Sequence, residues 1–322
     1  MKNILIIQNE LPIYRDFLWQ GIRKSFNLYL AEARTNRLFL PDGTLKTFQD
    51  YEFRDKLDCL VINGGIREAI KSVLYIKKYR AKSVLGWTQF VGRNKSLLSR
   101  FVKSVYLMTL FDSVLLYYEH EKQLIPFESL KQKATGLNNT IADWNYSPIL
   151  SLKKNSFLYL GRYTEKSKLS LFLEAALDMI DIEVHFIGVD INVVPKKFRK
   201  SNFHFHGMIN DLDKIQALAA GCTYFVYPGD VGLSIVHAVK LGLIPVVHAK
   251  LDSHMPECQA VAEKFPIFYF QKDDLSSLSN VLQLLVGTEG SKKTKEWIAS
   301  RARKVFSQES MISNFSNALN RV

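Results

Sequence analysis

Short runs rich in β-branched and aromatic residues recur along the chain, and longer segments of polar residues or helical spacing separate them. These runs cover residues 3–8, 26–33, 59–64, 83–89, 113–118 and 134–139, and then 157–162, 183–188, 202–207, 222–227, 243–249 and 265–270. Strands that alternate with helices in this way are typical of a parallel sheet covered on both faces. A polar stretch at 143–156 interrupts the alternation and reads as a linker. The sequence therefore predicts an α/β protein with two tandem, doubly wound, Rossmann-like domains.

The predicted boundaries are 1–146 for the first domain and 147–308 for the second. Residues 309–322 are predicted to form a C-terminal helix that packs back on the first domain. Open α/β sheets bind ligands outside the carboxyl ends of their strands, and two such domains facing each other leave a cleft between them. The loops that follow the strands are therefore the candidate functional segments.

Composition agrees with a globular protein that has two cores, since 47% of the 322 residues are hydrophobic and 23% are charged. Cys59, Cys222 and Cys258 are far apart and form no CxxC pair, which argues against a disulfide framework or a zinc site. The apolar run near the N-terminus is too short for a signal peptide, and no run approaches the length that spans a bilayer. A cytoplasmic location is expected.

The net charge of +12 indicates an acidic partner. Basic residues are concentrated between positions 67 and 103, namely Arg67, Lys71, Lys77, Lys78, Arg80, Lys82, Arg93, Lys95, Arg100 and Lys103. No recognised nucleic-acid-binding motif accompanies this charge, so nucleic acid is not the expected partner.

Within the basic segment, NKSLLSRFVKSVYLM has an apolar stripe at helical spacing. The stripe consists of Leu97, Leu98, Phe101, Val102 and Val105. A basic amphipathic helix of this kind suits an anionic membrane surface. In the commoner alternative, the stripe packs on the protein's own sheet and leaves a solvated cationic rim.

The segment PGDVGLSIVHAVKLGLIPVV, which follows the run at 222–227, reads as a glycine loop, a helix that stops at Gly242, and another strand. Glycine at 229 and 232 leaves backbone N–H groups exposed where the helix N-terminus supplies partial positive charge. A phosphate group is the natural ligand for such a loop. Alternatively, Gly229 and Gly232 only form a tight turn.

Two other loops in the second domain carry candidate ligand-binding residues. Gly161 and Arg162 follow the run at 157–162, with Lys166 shortly after, and an arginine fork with a lysine suits a diphosphate. The alternative for Arg162 is a surface ion pair with an acid such as Glu165. Met208 and Ile209 follow FHFHG and are suited to flank a flat base, unless they pack in the core.

The order of these segments resembles a known family. LYLGRYTEKSK, HFIGVD, FHFHGMIND, YPGDVGLSIVHAVKLGLIPVV and HMPE, within residues 155–285, resemble the donor-binding domain of retaining GT-B fold glycosyltransferases of family 4. ELPIYRDFLWQGI, GWTQFVGRNK and GLNNTIADW resemble the branch that assembles bacterial surface polysaccharides such as lipopolysaccharide and capsule. The resemblance implies retaining, hexosyl-type transfer from a nucleotide-diphosphate sugar to a glycan or lipid-linked glycan acceptor. It also implies no cofactor and no essential metal. With the basic residues at 67–103, a peripheral position on the inner face of the cell membrane is expected.

The resemblance assigns the donor site residue by residue. Arg162 and Lys166 match the family's phosphate-binding pair, and Val231, Gly232, Leu233 and Ser234 match the loop that receives the donor's phosphates through backbone amides. Two glutamates typical of the family are replaced here by Gly229 and His237. Asp230 is then expected to take over the contact with the sugar, as a third catalytic residue. His237 is expected to bind a ribose hydroxyl or a phosphate, with a buried core histidine as the alternative.

On the acceptor side, Trp87 and Gln89 correspond to positions where relatives carry a tryptophan with a nearby histidine. Tyr14 and Arg15, in the segment ELPIYRDFLWQGI, are assigned to the same side.

Three other interpretations bear on the function. The letters DLD at 211–213 spell a metal-binding motif of other glycosyltransferases, but Asp211 is better explained as a helix cap. A nucleotide-sugar-binding relative without activity would account for the two replaced glutamates. A nucleotide-sugar epimerase would need an acid and a base, for which His206 and Glu257 are the nearest candidates.

Overall fold

The computed structural model describes residues 1–53, 55–90, 96–143, 155–288 and 291–322. It divides into two compact units, and each has its own sheet and core. The N-terminal unit comprises Met1–Ala142 and Gln308–Val322, and the C-terminal unit comprises Asp143–Ser307.

The sheet of the N-terminal unit contains β1 (Asn3–Gln8), β2 (Asn27–Glu32), β3 (Arg37–Phe39), β4 (Leu45–Thr47), β5 (Cys59–Asn63), β6 (Ser83–Trp87), β7 (Ser113–Leu116) and β8 (Ala134–Gly136). Its helices before the C-terminal segment are α1 (Asp16–Arg23), α2 (Ala69–Tyr79), α3 (Leu97–Leu110) and α4 (Glu128–Lys133). The strand order is β4-β3-β2-β1-β5-β6-β7-β8, and all neighbours are parallel except at β3 and β4. The order of the parallel strands reverses between β1 and β5.

The sheet of the C-terminal unit contains β9 (Ser156–Leu160), β10 (Glu183–Ile187), β11 (Phe203–Phe205), β12 (Tyr224–Tyr227), β13 (Ile244–His248) and β14 (Phe268–Phe270). Its helices are α5 (Leu169–Ala175), α6 (Leu212–Ala219), α7 (Ser234–Lys240), α8 (Pro256–Ala262), α9 (Leu275–Leu285) and α10 (Lys292–Val305). The strands are parallel in the order β11-β10-β9-β12-β13-β14, with the reversal between β9 and β12. Ligands of open α/β sheets bind at such reversals.

The last helix, α11 (Gln308–Asn320), belongs to the N-terminal unit. It packs against α1, and its Met311, Phe315 and Leu319 are buried in the core that also holds Trp87. The ring centroids of Trp87 and Phe315 lie 5.3 Å apart. The predicted return of the C-terminal helix to the first domain is confirmed.

The predicted architecture of two parallel-sheet α/β domains is confirmed, and each predicted strand overlaps an observed one. The sequence interpretation missed the antiparallel hairpin β3–β4 at the edge of the first sheet. Both strands are only three residues long and β4 is exposed throughout, so neither forms an apolar run. Most of the predicted linker, residues 144–154, lies outside the described residues.

The apolar stripe of α3 does not pack on the sheet, so the alternative that it does is wrong. Leu97 is 80% exposed, and Leu98, Phe101, Val102 and Val105 are exposed as well. The residues that this helix buries are Ser104 and Leu107. No helix in the described part of the chain is long and apolar enough to cross a membrane.

Candidate functional site

In the C-terminal unit, the loops after β9 and β12 touch at the reversal of strand order. A Cβ atom on Gly229 would lie 2.2 Å from the carbonyl oxygen of Lys166 and 2.8 Å from the carbonyl carbon of Ser167. Both are backbone atoms, so only glycine permits this approach. The fold thereby joins the predicted phosphate-binding pair to the predicted glycine loop.

The two predicted phosphate-binding cations carry no counter-ion. Arg162 and Lys166 are exposed, and neither forms an ion pair or side-chain hydrogen bond with the residues that the structure describes. The alternative that Arg162 pairs with Glu165 is therefore not realised. By contrast, Lys168 lies 3.5 Å from the carboxylate of Asp273.

The backbone around Arg162 is held by its neighbours. The Tyr159 hydroxyl donates a hydrogen bond to the carbonyl oxygen of Arg162 at 3.0 Å. Gly188, with φ at +90°, lies against Gly161, and a Cβ there would come within 2.7 Å of the Gly161 oxygen. The first loop is thus fixed from both sides, while the guanidinium of Arg162 stays in solvent.

The glycine loop is fixed by a buried histidine. The N–H of Val231 donates to Nδ1 of His254 at 2.9 Å, and Nε2 of His254 faces the carbonyl oxygen of His248 at 3.0 Å. An imidazole with these partners is the neutral tautomer protonated on Nε2. Burial lowers the pKa of His254 to about 4, which agrees with the neutral form.

Val231 therefore supports the loop instead of facing a ligand. It is fully buried, and its carbonyl oxygen accepts from the N–H of Met255 at 3.0 Å. The amides of Gly232, Leu233 and Ser234 precede the first intrahelical bonds and have no acceptor among the described residues. These are the donors that remain for a phosphate group.

Asp230 accepts hydrogen bonds from the end of β13 and from the loops after β13 and β14. Its Oδ1 lies 2.7 Å from Nζ of Lys272, 2.9 Å from Oγ of Ser253 and 3.1 Å from Nε2 of His248. Burial alone would raise the pKa of Asp230, but the hydrogen bonds from Lys272 and Ser253 and the charge of Lys272 lower it to about 2. The carboxylate is ionised and anchored.

The remaining donor-site residues lie at the same carboxyl edge or on α7. Met208 is 66% exposed after β11, so core packing does not account for it, while Ile209 is half-buried. His237 has its Nε2 buried, and burial with the nearby charge of Lys240 lowers the pKa of His237 to about 3. Its ring is therefore neutral at physiological pH. Lys240 itself is buried and lies 2.8 Å from the carboxylate of Asp143.

Two groups of side chains in the described residues have potential metal-ligand atoms within 4.8 Å of one another. One is Asp230 with His248 and His254, whose atoms already bond to protein groups. The other is on β10 and β11 and consists of Glu183, His185 and His204. The absence of a metal requirement stays a prediction.

Asp211 is confirmed as the cap of α6. Its side chain accepts from the N–H groups of Asp213 and Lys214 at 3.0 Å and 3.2 Å, as a helix N-cap does.

In the N-terminal unit, the loop after β1 meets the end of β6. Arg15 is only 7% exposed, and its guanidinium carbon lies 4.4 Å from the ring centroid of Trp87 and 5.6 Å from that of Tyr14. The structure therefore brings three of the four predicted acceptor-side residues together. Gln89 lies two residues beyond Trp87 and is half-buried.

A half-buried lysine that the sequence placed in the basic face fixes the loop after β6. Nζ of Lys103 donates to Oγ1 of Thr88 at 3.0 Å and also to the carbonyl oxygen of Gln89. Burial lowers the pKa of Lys103 to about 8. Lys103 therefore anchors this loop, and the predicted Arg93 and Lys95 lie outside the described residues.

Sequence reasoning missed the residues that support the loops. Ser253 and Lys272 belong to no motif, and His254, the first residue of HMPE at 254–257, was given no role. Their partners are distant in sequence, so no spacing could identify them.

Comparison with known proteins gives a fold and no family. No protein-family model and no curated protein matches the sequence. Among solved structures, HepE of Anabaena in complex with UDP-glucose is similar over 100% of both chains, with 11% identity and a TM-score of 0.66. A sucrose-phosphate synthase of Thermosynechococcus elongatus covers 100% of this chain and 99% of its own, with 12% identity and a TM-score of 0.69. A glycosyltransferase of Rickettsia africae covers 99% and 98%, with 12% identity and a TM-score of 0.69. The predicted GT-B fold is confirmed.

Proposed function

We propose that the protein is a glycosyltransferase that uses a nucleotide-diphosphate sugar as donor. The observation that carries the proposal is the pair of exposed, unpaired cations, Arg162 and Lys166, beside a glycine loop with free amides at the reversal of strand order. Two cations and three amides suit a diphosphate, which carries negative charge on several oxygens. The similarity in fold to HepE, solved with UDP-glucose, supports this assignment.

The transfer proceeds with retention and without a metal or another cofactor. Arg162 and Lys166 stabilise the diphosphate as the bond to the sugar breaks, while the amides of Gly232, Leu233 and Ser234 fix its position. The acceptor hydroxyl attacks the face from which the diphosphate leaves, and a departing phosphate oxygen takes the hydroxyl proton. This route needs no protein base, which agrees with the lowered pKa values of His237, about 3, and Asp230, about 2, because both make weak bases.

The donor contacts follow the positions of the side chains. Asp230 orients a sugar hydroxyl, the neutral ring of His237 orients the ribose, and the exposed Met208 covers the base. The transferred group is a hexose.

The acceptor is a glycan or lipid-linked glycan of bacterial surface polysaccharide synthesis, and the N-terminal unit binds it next to a membrane. Helices α2 and α3 leave a set of apolar side chains exposed, which we call the α2–α3 surface: Ile70, Leu74, Leu97, Leu98, Phe101, Val102 and Val105, preceded by Ile66. Arg67, Lys71, Lys77 and Lys78 are exposed on or just before α2. Exposed apolar residues beside cations suit the peripheral face of an anionic membrane.

The donor assignment is tested with a panel of UDP-, GDP- and TDP-sugars. Calorimetry measures binding, and free nucleotide diphosphate and sugar identity are followed with and without lipid-linked acceptor. The proposal expects saturable binding of at least one nucleotide sugar and acceptor-dependent release of its nucleotide diphosphate. If calorimetry detects no heat with any nucleotide sugar of the panel, the proposal is contradicted. If the sugar of the nucleotide sugar is converted into a different sugar, the protein is an epimerase instead.

Membrane binding is tested by sedimentation with vesicles of phosphatidylglycerol or phosphatidylcholine. Wild-type protein is expected to pellet with the anionic vesicles only, and Leu98→Glu/Phe101→Glu to stay in the supernatant, because two charges would enter the apolar surface. Leu284→Glu is the matched control, since Leu284 is 70% exposed on α9 of the C-terminal unit. Equal pelleting of the wild type and the double variant would remove the α2–α3 surface from membrane binding.

A further inference from the structure

Arg15 is a buried cation without a counter-ion. It is 7% exposed, yet no carboxylate, carbonyl or hydroxyl group among the described residues accepts a hydrogen bond from its side chain. Its Nε in particular is buried with no acceptor. Buried charges are costly unless they are paired, so an arginine in this state is arranged for a partner that is not part of the chain.

The aromatic rings next to Arg15 do not accept the hydrogen bonds of its guanidinium. Stacking on Trp87, with 4.4 Å between the guanidinium carbon and the ring centroid, covers one flat face of the guanidinium. The five N–H donors of arginine point outward in the plane of the group, where a ring face cannot accept them. The stack therefore fixes the orientation of the fork and leaves its hydrogen bonds open.

The surroundings of Arg15 offer further donors, and no carboxylate of the described residues forms an ion pair with its guanidinium. Trp19 lies one helical turn beyond Arg15, with its ring centroid 6.1 Å from that of Trp87. Both tryptophans are 4% exposed, and the indole N–H of each is buried without an acceptor. Three neighbouring side chains thus have unpaired donors, at the carboxyl end of β1 where the strand order reverses.

From this geometry we infer that Arg15 forms an anion-binding site, which takes a phosphate or carboxylate group of the acceptor. A planar fork held by a ring stack binds such a group bidentately, and burial makes each bond stronger than it would be in water. That the anion belongs to the acceptor rests on the proposed function. That the site binds an anion rests on Arg15 and its neighbours alone.

Anion binding is measured in a full-length Arg162→Ala/Lys166→Ala background, which removes the cations of the donor site. Inorganic phosphate, glucuronate and the neutral sugar glucose are titrated at constant ionic strength set with NaCl, and tryptophan fluorescence and Tm are recorded. We expect a saturable fluorescence change and a rise in Tm with phosphate or glucuronate, and neither with glucose. A stronger response to phosphate or to glucuronate tells which anion the acceptor carries.

The variants decide whether Arg15 is responsible. Arg15→Gln is expected to weaken anion binding at least about tenfold and to fold normally, because it removes an unpaired charge. Arg15→Lys keeps the charge without the fork and should bind with intermediate strength, so it also serves if Arg15→Gln fails to fold. Arg34→Gln, at an exposed arginine that pairs with Glu10, is the matched control and should bind like its parent. An anion response that is absent in the parent, or equal in Arg15→Gln, overturns the site.

Nucleotide binding separates this inference from the proposed function. With the donor-site cations intact, Arg15→Gln should bind UDP as tightly as the wild type does. Loss of UDP binding in Arg15→Gln would show that Arg15 binds the donor, and the assignment of its anion to the acceptor would be wrong. If the wild type binds no nucleotide while the Arg15-dependent anion response persists, the proposed function fails and the anion site stands.

Discussion

The loops at the two reversals of strand order present positive charge in opposite ways. In the C-terminal unit, Arg162 and Lys166 stand in solvent beside free amides. In the N-terminal unit, Arg15 is buried against Trp87. Exposed cations keep most of their hydration and bind more weakly, which suits the proposed donor, whose nucleotide would have to leave after each transfer. A buried cation discriminates strongly against a ligand without the matching charge, which suits recognition of an acceptor.

The supports of the two regions also differ. The donor-side loops are fixed by a glycine contact, by the neutral His254 and by the ion pair between Asp230 and Lys272. On the acceptor side, Lys103 holds the loop after β6, and the carboxylate of Glu121 accepts from the N–H of Phe90 at 2.8 Å. Charged side chains therefore serve as anchors in both units, and the ligand is left to the cations that remain unpaired.

The contrast between the two regions would no longer hold if the exposed cations were not needed for turnover. Arg162→Ala should lower kcat by roughly 10²–10³-fold, because it removes charge that stabilises the leaving diphosphate. Tm should not change, since the Arg162 side chain is exposed and has no partner in the described residues. Steady-state kinetics and a thermal melt measure both quantities.

Lys197→Ala is the control for Arg162→Ala. It removes an exposed cation of the same unit, one that pairs with Glu174 at 3.2 Å. Turnover like that of the wild type in both variants would show that Arg162 is not part of the site.

Sequence patterns predicted the strands and helices that depend on local composition. Buried strands need apolar runs, and α7 needs its apolar spacing and a stop at Gly242, whose φ of +79° disfavours other residues. The glycine loop and the cations after β9 were identified because glycine exposes backbone N–H groups and because an arginine with a lysine suits a diphosphate. Only the structure shows that they touch, through the contact of Gly229 with Lys166.

What was missed depends on contacts between segments far apart in the chain. The spacing of α3 shows an apolar stripe but does not tell which residues of the helix are buried, and these are Ser104 and Leu107. Basic residues are usually exposed, so composition placed Lys103 in the basic face, although it is half-buried and anchors the loop after β6. The burial of Arg15 has no signal in the sequence for the same reason.

Alanine substitutions at Gly229 and Gly232 test how the glycine loop packs against the loop after β9. In Gly229→Ala, the Cβ would overlap the Lys166 carbonyl oxygen at 2.2 Å, so the two loops must separate. We expect a loss of about 3 kcal/mol in the free energy of unfolding, at the upper end for overpacking, together with loss of nucleotide binding. Urea denaturation and calorimetry measure these effects.

Gly232→Ala is the matched comparison for Gly229→Ala. Its Cβ would meet the Met255 side chain at 3.2 Å, and a flexible thioether can move aside. The free energy of unfolding should therefore change far less than in Gly229→Ala. Equal destabilisation by the two substitutions would mean that the contact between the loops does not require glycine at 229.

The smallest expected effect concerns how a neutral histidine holds the donor loop. The pKa of His254 is about 4 in the folded protein, against an ordinary value of 6.5. Below about pH 6.5 the unfolded chain binds a proton that the folded chain does not, so stability falls as the pH falls toward 4. Between pH 7 and pH 5.5 this residue should account for ~1 kcal/mol of lost stability. His237, with a pKa of about 3, adds a loss of the same sign.

His254→Asn removes this titration and keeps an acceptor for the N–H of Val231, because the asparagine Oδ1 replaces Nδ1. The variant should therefore lose ~1 kcal/mol less than the wild type between pH 7 and pH 5.5, as urea midpoints at the two pH values will show. His120→Asn, at a partly exposed histidine of the N-terminal unit, should keep the dependence of the wild type. If His254→Asn loses as much stability between the two pH values as the wild type does, His254 is protonated in the folded protein. The glycine loop would then be held by a charged side chain, as Asp230 is held by Lys272.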